Sequence, residues 1–310
     1  MDMGVSVIIP VYNGEKSIGK ALDSLLNQTC KHFEVVIIND GSTDRTEHIV
    51  REYPGRGLTI RYAFQDNMGV AMARNRGLDL AKGQYVCFLD SDDFYEQRFM
   101  ERMLRQISST GSDVCYCGYK VVTPNRVRNR RTQFTEKRVL LKYVLGKVAV
   151  QTTGWMLRSD LIAGHSLRFP PGISCGEDFE FFCESLALAR KTTFLKEYLT
   201  NYRYGFFPNR LSAFSLDKLD KGFDTIQRLQ ANPRVNMVPK VEKALVDYRL
   251  PAILTYRLMQ AINRGVDRDD VLGYYRKYER YLGVFTWNNN LRSIKLNASK
   301  IRLRRHLRVG

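Results

Sequence analysis

The stretch VCFLDSDD at residues 86–93 decides the fold prediction for this chain. Its first four residues are apolar and follow Gly83, which is typical of a strand covered on both faces of a sheet. Three carboxylates then crowd into four residues, where they repel one another unless a cation lies among them. Oxygen ligands at the carboxyl end of a strand suit Mg²⁺ or Mn²⁺ held together with a substrate phosphate. A solvated acidic turn that caps the next helix is the alternative interpretation.

The residues around this stretch alternate between apolar strands and amphipathic helices up to residue 118. Ser42 or Thr43 is the expected N-cap of the second helix. Regular βαβ alternation predicts an α/β, Rossmann-like fold in which helices flank a mostly parallel sheet. Strands are predicted at residues 5–11, 33–39, 58–64, 85–89 and 113–119, and helices at 16–27, 44–52, 70–81 and 97–108.

The remainder of the chain changes character twice. Residues 121–151 are irregular and basic, and beyond about residue 216 the pattern becomes helical, with a kink expected at Pro251. We therefore expect one α/β domain over residues 1–215 and a helical, basic C-terminal region over residues 216–310. The elements predicted here are a strand at 154–159, a helix at 179–189, an extended segment at 192–198 and helices at 219–230, 238–261 and 269–281.

The charge of the chain is uneven. Overall, 49 Lys+Arg stand against 32 Asp+Glu, a net charge of +17. Residues 218–310 carry 20 basic and 8 acidic residues, and residues 120–138 carry 7 basic and 1 acidic, so the rest of the chain is close to neutral. This excess favours anionic partners such as nucleotide phosphates, an anionic polymer or a membrane surface. No nucleic acid is expected as a partner, because that interpretation rests on charge alone.

The cysteines and the hydropathy favour a cytoplasmic protein. Six cysteines form no CxxC pair and have no histidine at metal-ligand spacing, so buried, reduced thiols are expected. The first apolar strand begins almost at once, so no signal peptide is expected before it. No apolar run reaches the roughly 18 residues that a membrane-spanning helix needs. We therefore expect a soluble protein, or one held peripherally at the inner face of the cell membrane.

Polar segments follow the predicted strands at one edge of the sheet. PVYNG (10–14) follows the first strand, DGSTD (40–44) the second and DSDD (90–93) the fourth, while NMGVAMARNRG (67–77) opens a helix. The N-terminus of a helix favours an anion through its N–H groups and dipole. Each segment alone is an ordinary turn or cap. Four of them at one edge predict a ligand site, because open α/β sheets bind their ligands there.

Together with GEDFEF (176–181), these segments resemble the family 2 glycosyltransferases of the GT-A fold over about residues 4–213. The resemblance implies a GT-A fold and an inverting, metal-dependent hexosyltransferase that uses a UDP-sugar. It divides the α/β domain into a nucleotide-binding half, about residues 1–119, and an acceptor half, about residues 120–215. The acceptor that it implies is a bacterial cell-surface polysaccharide, a teichoic acid or a glycoprotein glycan.

The resemblance also implies roles on the donor side. Pro10 and Tyr12 would line the base pocket, with Val11 and Asn13 in the same motif, and Asp40 would accept the imino N–H of uracil. The resemblance directs Arg74 at the diphosphate, and the alternative is that Arg74 is simply an arginine exposed on a helix. Arg203 and Arg210 stand where many family members carry a histidine. The other implied nucleotide-sugar contacts are Asn67, Arg74 (toward the diphosphate), Asp90, Ser91, Arg203, Arg210 and Ser212, and Asp92 is the implied ligand of Mn²⁺ or Mg²⁺.

The GEDFEF segment carries the implied chemistry. An inverting transferase needs a carboxylate opposite the leaving group to take the proton of the acceptor hydroxyl. By resemblance Asp178 is this catalytic base, and Glu177 contacts the sugar or the acceptor. Both residues also fit the first turn of a helix, whose dipole favours acidic groups. The alternative function is a non-catalytic module that binds a sugar nucleotide or an anionic polymer, which needs neither Asp178 nor the full DSDD.

The C-terminal tail mixes basic and apolar residues. From Arg292 onward it has seven basic residues and no acidic ones. Basic residues near an anionic leaflet contribute about 1 kcal/mol each, so this tail predicts peripheral contact with an anionic membrane or polymer. A solvated, disordered tail is one alternative. Packing of the apolar stripes of residues 218–310 against the front domain or a second subunit, as in a homo-oligomer, is the other.

Overall fold

The computed structural model describes residues 4–207, 213–286 and 291–309, so the predicted contacts of Arg210 and Ser212 lie outside the described residues. Within these ranges the chain forms one nine-stranded sheet. Its strands are β1 (Val5–Val11), β2 (Phe33–Asp40), β3 (Ile60–Gln65), β4 (Tyr85–Phe88), β5 (Phe94–Tyr95), β6 (Val114–Thr123), β7 (Arg126–Asn129), β8 (Trp155–Arg158) and β9 (Thr192–Arg203).

The strands lie in the order β3-β2-β1-β4-β8-β6-β9-β5, and β7 pairs with β6. Six of the nine run in one direction, and β5, β7 and β8 run against them. Every residue of β1 and β2 is buried, as the continuous apolar runs predict for strands covered on both faces. The prediction of a mostly parallel sheet flanked by helices is confirmed.

Seven helices accompany these strands within the described residues. In the first of them, Ile18, Leu22 and Leu25 are buried on the face toward the sheet. These helices are α1 (Ile18–Leu26), α2 (Thr46–Glu52), α3 (Val70–Leu80), α4 (Phe99–Thr110), α5 (Val139–Val144), α6 (Ser159–Gly164) and α7 (Glu177–Leu188).

The N-cap predicted for α2, Ser42 or Thr43, was wrong, because the residue in that position is Arg45. The hydroxyl of Ser42 accepts a hydrogen bond from the backbone N–H of Asn13, outside the helix. Instead, the Oδ1 atom of Asp44 accepts from the N–H of Thr46 at 3.0 Å. Ser42, which was expected to cap α2, therefore binds the PVYNG loop instead.

The β6–β7 hairpin lies in the segment that the sequence analysis left irregular. Strand β6 runs four residues beyond its predicted end and turns through Pro124 and Asn125 into β7. The Thr123 hydroxyl accepts from the N–H of Arg126 and donates to its carbonyl oxygen, both at 3.0 Å. All four residues of β7 are exposed, so no apolar alternation marks the strand in the sequence.

The C-terminal region is helical and basic, as predicted. A turn of π-helix, Leu245–Arg249, comes immediately before the helix that contains Pro251. This widened turn lies where the kink was expected at Pro251, because proline has no N–H to donate to the preceding turn. Of the helices that the structure describes, none is long and apolar enough to cross a membrane. These helices are α8 (Lys218–Ala231), α9 (Pro233–Asn236), α10 (Val241–Ala244), α11 (Leu250–Asn263), α12 (Arg268–Lys277), α13 (Glu279–Leu282) and α14 (Leu291–Leu307).

Helix α14 is packed rather than disordered. Leu303 and Leu307 are buried. The Nζ atom of Lys300 donates to the carbonyl oxygen of Val284 at 2.7 Å, and Arg304 donates to that of Gly283 at 2.8 Å. Two of the basic residues therefore hold the preceding segment in place. The membrane or polymer contact of this tail stays a prediction.

The chain forms two compact units. The first comprises Met1–Val139 and Lys147–Pro208, and the second Leu140–Gly146 and Asn209–Gly310. The first unit contains the whole sheet and the polar segments at its edge, so the candidate site below is described within that unit.

Candidate functional site

Strand β1 delivers the PVYNG segment to the edge of the sheet. Pro10 and Val11 are buried strand residues paired with β2, whereas Tyr12 is 55% exposed. The pairing of β1 with β4 ends at Ile8, so the missing N–H of Pro10 leaves no gap in that ladder. Tyr12 is thus exposed to solvent directly after a buried strand.

The PVYNG and DGSTD loops hold each other. Asn13 has a φ of 48°, and its Oδ1 atom accepts from the N–H of Thr43 at 2.9 Å. In return, Ser42 Oγ accepts from the N–H of Asn13, and Thr46 Oγ1 accepts from that of Gly14, both at 2.8 Å. These bonds fix the shape of the loops. The part that the structure gives to Asn13 is loop positioning, and its predicted contact with a nucleotide stays a prediction.

Asp40 organises the start of α3. Its carboxylate is 4% exposed and accepts from Gln65 Nε2 at 2.7 Å and from the N–H groups of Met68 and Gly69 at 2.9 Å. A carboxylate has about four acceptor positions, and these donors from the described residues use three. The orientation of this carboxylate is therefore fixed by the protein, with acceptor capacity left on Oδ2.

A close approach of two loops requires Gly41. Its φ is 79°, and a Cβ atom there would lie 2.8 Å from the backbone nitrogen of Asn67. No side chain fits at that distance. Asn67 is exposed beside this contact.

Arg74 joins the two halves of the predicted site. Its Nη2 atom donates to Asp90 Oδ1 at 2.8 Å, and its Nη1 atom donates to Glu177 Oε1 at 2.9 Å. The guanidinium carbon lies 5.2 Å from the ring centre of Phe169. Burial lowers the pKa of this guanidinium, but Asp90 and Glu177 outweigh burial and raise it overall. The exposed arginine considered as an alternative is thereby excluded, and contact with a diphosphate stays a prediction.

Phe169 and its loop are held by Asn75, the residue after Arg74. The side chain of Asn75 donates to the carbonyl oxygen of Phe169 and accepts from its N–H, both at 2.8 Å. This reciprocal pair fixes the ring against which the guanidinium lies.

The three carboxylates of DSDD have separate environments. Asp90 pairs with Arg74, whereas Asp93 is buried and its Oδ1 atom accepts from the N–H of Arg203 at 2.9 Å. Asp92 is partly exposed in the same turn, as is Ser91. The third carboxylate therefore has a structural part, since it ties the end of β9 to the turn after β4.

Arg203 approaches this turn through its backbone. Its guanidinium carbon lies 4.6 Å and 4.9 Å from the ring centres of Phe206 and Phe207. The structure thus brings Arg203 beside DSDD. Its predicted contact with a diphosphate stays a prediction.

Glu177 and Asp178 occupy the first turn of α7, after Gly176 with a φ of 89°. Glu177 is buried, and that burial together with the neighbouring Asp178 raises its pKa to about 7, although Arg74 acts in the opposite direction. Asp178 is partly exposed. Its Oδ1 atom accepts from the N–H of Phe179 at 2.7 Å, and its Oδ2 atom from Thr152 Oγ1 at 3.1 Å.

Three residues of this site escaped the sequence analysis: Gln65, Thr152 and Phe169. Each reaches a motif residue from a distant segment, as in the bond between Gln65 and Asp40. None stands in a pattern that marks it, so only the fold reveals them.

Comparisons with known proteins were made for the whole chain. The family model described as "Glycosyl transferase family 2" matches residues 6–164, just over half of the chain. EpsJ of Bacillus subtilis, described as an uncharacterized glycosyltransferase, is 32% identical over 217 residues, which cover 67% of this chain and 62% of EpsJ. The match thus spans less than two thirds of that relative's length.

Solved structures resemble the fold. Staphylococcus aureus TarS, residues 1–349 in complex with UDP-GlcNAc, has a TM-score of 0.74 at 22% identity, covering 98% of this chain and 90% of that one. The mannosyltransferase PcManGT from Pyrobaculum calidifontis, in complex with GDP-Man and Mn²⁺, has a TM-score of 0.61 at 16% identity and covers 98% and 85% of the two chains. At these identities the likeness concerns the fold, and the predicted GT-A architecture is confirmed.

Proposed function

The chain belongs to glycosyl transferase family 2, and we propose that it moves a sugar from a UDP-sugar to a hydroxyl group of a glycan acceptor, with inversion and with a divalent metal. The observation that carries this proposal is the Arg74 bridge. It holds Asp90 of the donor motif and Glu177 of the acceptor motif on one guanidinium. A sugar between these motifs has a donor-binding turn on one side and the partly exposed Asp178 near the other.

Asp40 supports uridine as the nucleoside of the donor. Its carboxylate is oriented by three protein donors and keeps acceptor capacity on Oδ2. The imino N–H of uracil is a donor that fits this remaining position, and cytosine lacks that proton. The exposed ring of Tyr12 supplies an apolar surface for the base at the same edge.

The residues present fit a metal that arrives with the donor. In the ranges that the structure covers, no three His, Cys, Asp or Glu side chains converge on one point. Mg²⁺ and similar ions are commonly held by one or two carboxylates together with substrate phosphates and water, and Asp92 is the partly exposed carboxylate in the turn after β4. When bound, such an ion stabilises the negative charge that develops on the leaving diphosphate.

Asp178 is the proposed base. The hydroxyl of Thr152 and the N–H of Phe179 each donate to one of its oxygens, which fixes the carboxylate in place. It takes the proton of the acceptor hydroxyl as that oxygen attacks the anomeric carbon. The bond from this carbon to the phosphate oxygen breaks, and its electron pair leaves with UDP. Attack from the face opposite UDP converts an α-linked donor into a β-linked product.

The test is a screen of UDP-sugars with Mn²⁺ that measures UDP release, combined with calorimetry of UDP binding. We expect UDP to bind more tightly with Mn²⁺ than with EDTA, and Asp92→Ala to remove that difference. Unchanged UDP affinity in EDTA contradicts the metal assignment. Binding of UDP without release from any UDP-sugar, with or without acceptor, indicates the non-catalytic module instead.

A further inference from the structure

The β6–β7 hairpin presents three arginines on one face. The two strands pair Thr123 with Arg126 and Val121 with Arg128. Two residues further along, the N–H of Arg130 donates to the carbonyl oxygen of Tyr119. Because side chains alternate along a strand, Arg126, Arg128 and Arg130 point to the same side. All three are exposed. We call this side the arginine face.

Tyrosines share the arginine face. Strand β9 pairs with β6 on its other side, where Tyr202 is the partner of Val121. Tyr119, Tyr202 and the half-exposed Tyr204 form a chain of ring contacts, with centres 6.5 Å and 6.3 Å apart. Tyr119 is buried and its ring stands edge-on to that of Tyr202, so Tyr202 and Tyr204 are the rings at the surface, across β6 from the three arginines.

The two faces of the hairpin differ in how their charges are satisfied. On the opposite face, Lys120 is paired with Glu96 at 2.6 Å. Among the residues that the structure describes, none of Arg126, Arg128 and Arg130 makes an ion pair with a carboxylate. Three like charges on one short strand repel one another, so an anion that binds there is favoured.

The arginine face lies on the side of the proposed base. Burial raises the pKa of the Tyr119 hydroxyl, while Arg130, Arg128 and the side chain of Gln151, all close to it, lower it. The next residue, Thr152, donates to Asp178 at 3.1 Å. Two consecutive residues thus connect the arginine face with the carboxylate at which the acceptor hydroxyl must arrive.

We propose that the arginine face binds the acceptor, and that this acceptor is an extended glycan polymer with regularly spaced phosphate or carboxylate groups. The inference rests on the proposed function and adds the chemical class of its acceptor. Alternate residues of a strand are about 7 Å apart, so the arginines engage successive anionic groups of one chain. Their guanidinium groups bind phosphate or carboxylate oxygens in pairs, while Tyr202 and Tyr204 contact the intervening sugar or polyol carbons.

The test measures polymer binding by the full-length chain through fluorescence anisotropy. The probes are a labelled phosphodiester-linked polyol polymer, a labelled polyuronate and a neutral dextran. The test variant is Arg126→Ser/Arg128→Ser/Arg130→Ser. The control is Lys82→Ser/Arg105→Ser/Lys196→Ser, which removes the same charge from exposed positions off the hairpin.

We expect the test variant to lose about tenfold or more in affinity for one of the two anionic polymers, and the control variant to lose little. Neither variant should bind the neutral dextran. The polymer that responds identifies phosphate or carboxylate as the recognised group. Replacing the three arginines by lysine should restore part of the affinity, because lysine keeps the charge but not the paired donors.

Equal losses in the test and control variants overturn the proposal, because net charge alone then explains binding. So does tighter binding of a single-stranded oligonucleotide than of either polymer. UDP release by the wild-type protein without polymer reports on the proposed function by itself. Release that is equal in the test variant and the wild type supports an acceptor-side location of the face.

Discussion

The carboxylates at the edge of the sheet and the arginines of the β6–β7 hairpin represent two ways of preparing for a ligand. Asp40, Asp90 and Asp178 each already accept hydrogen bonds from the protein, so their positions are set before any substrate arrives. The hairpin arginines are exposed and without carboxylate partners among the described residues. The first arrangement suits chemistry, where small displacements are costly. The second suits a long, variable polymer.

The largest effect is expected from Asp178→Asn, which tests the fixed region. The amide keeps the shape and the contact with Thr152 but cannot take a proton. We expect kcat for transfer to fall by about 10²–10⁴-fold while UDP-sugar binding stays nearly unchanged. Retention of most activity would move the base elsewhere, with Glu177 the next candidate. Steady-state kinetics and calorimetry on the same preparation separate the two results.

Arg74→Met should destabilise the fold, which sharpens the contrast with the hairpin. The substitution leaves Glu177 buried without its cation, and removal of one partner of a buried pair costs about 3–5 kcal/mol. Arg128→Ser on the hairpin should change the free energy of unfolding by no more than about 0.5 kcal/mol. Urea unfolding of both variants gives the comparison, with Arg105→Met as a control at an exposed helix position. Equal, small effects in all three variants would remove the distinction drawn above.

A smaller, pH-dependent effect is expected from Glu177. Its pKa is raised to about 7 in the folded chain, chiefly by burial, so the folded state binds more protons than the unfolded state between about pH 4.5 and pH 7. The stability that this group contributes is therefore present at low pH and lost as pH rises through 7. The difference in free energy of unfolding between wild type and Glu177→Gln should fall by up to about 3 kcal/mol from pH 5 to pH 8.

Urea unfolding across that pH range measures this difference. Glu242→Gln, at an exposed position, controls for the loss of one formal charge. A difference that stays flat or rises with pH contradicts the raised pKa.

The sequence predicted the elements that bury apolar residues and missed those that do not. Strands β1 and β2 and helix α3 lie within two residues of their predicted ends, because their apolar periodicity reports burial directly. Strand β7 was missed because it is exposed along its whole length. Its stability comes from pairing with β6, and such pairing leaves no local signature.

In the candidate site, too, one part could be predicted from the sequence and another part could not. The polar segments after β1, β2 and β4 could be placed at one edge because each follows a strand of a sheet predicted to be mostly parallel. The partners of their side chains could not, since the bond between Thr152 and Asp178 depends on tertiary packing. Arg74 shows the limit most clearly. The resemblance directed it at a diphosphate, whereas the fold places it between two carboxylates.

The bond between Arg74 and Glu177 joins residues 103 positions apart in the chain. A contact of that span closes a long loop, and its entropy cost falls once the intervening strands have paired. The donor edge of β1 and β2, by contrast, is built from residues close in sequence. Loop-closure entropy therefore favours earlier formation of the edge between β1 and β2 than of the bond between Arg74 and Glu177. A chain in which this bond has not yet formed holds the segments after β1 and β2 without GEDFEF beside them.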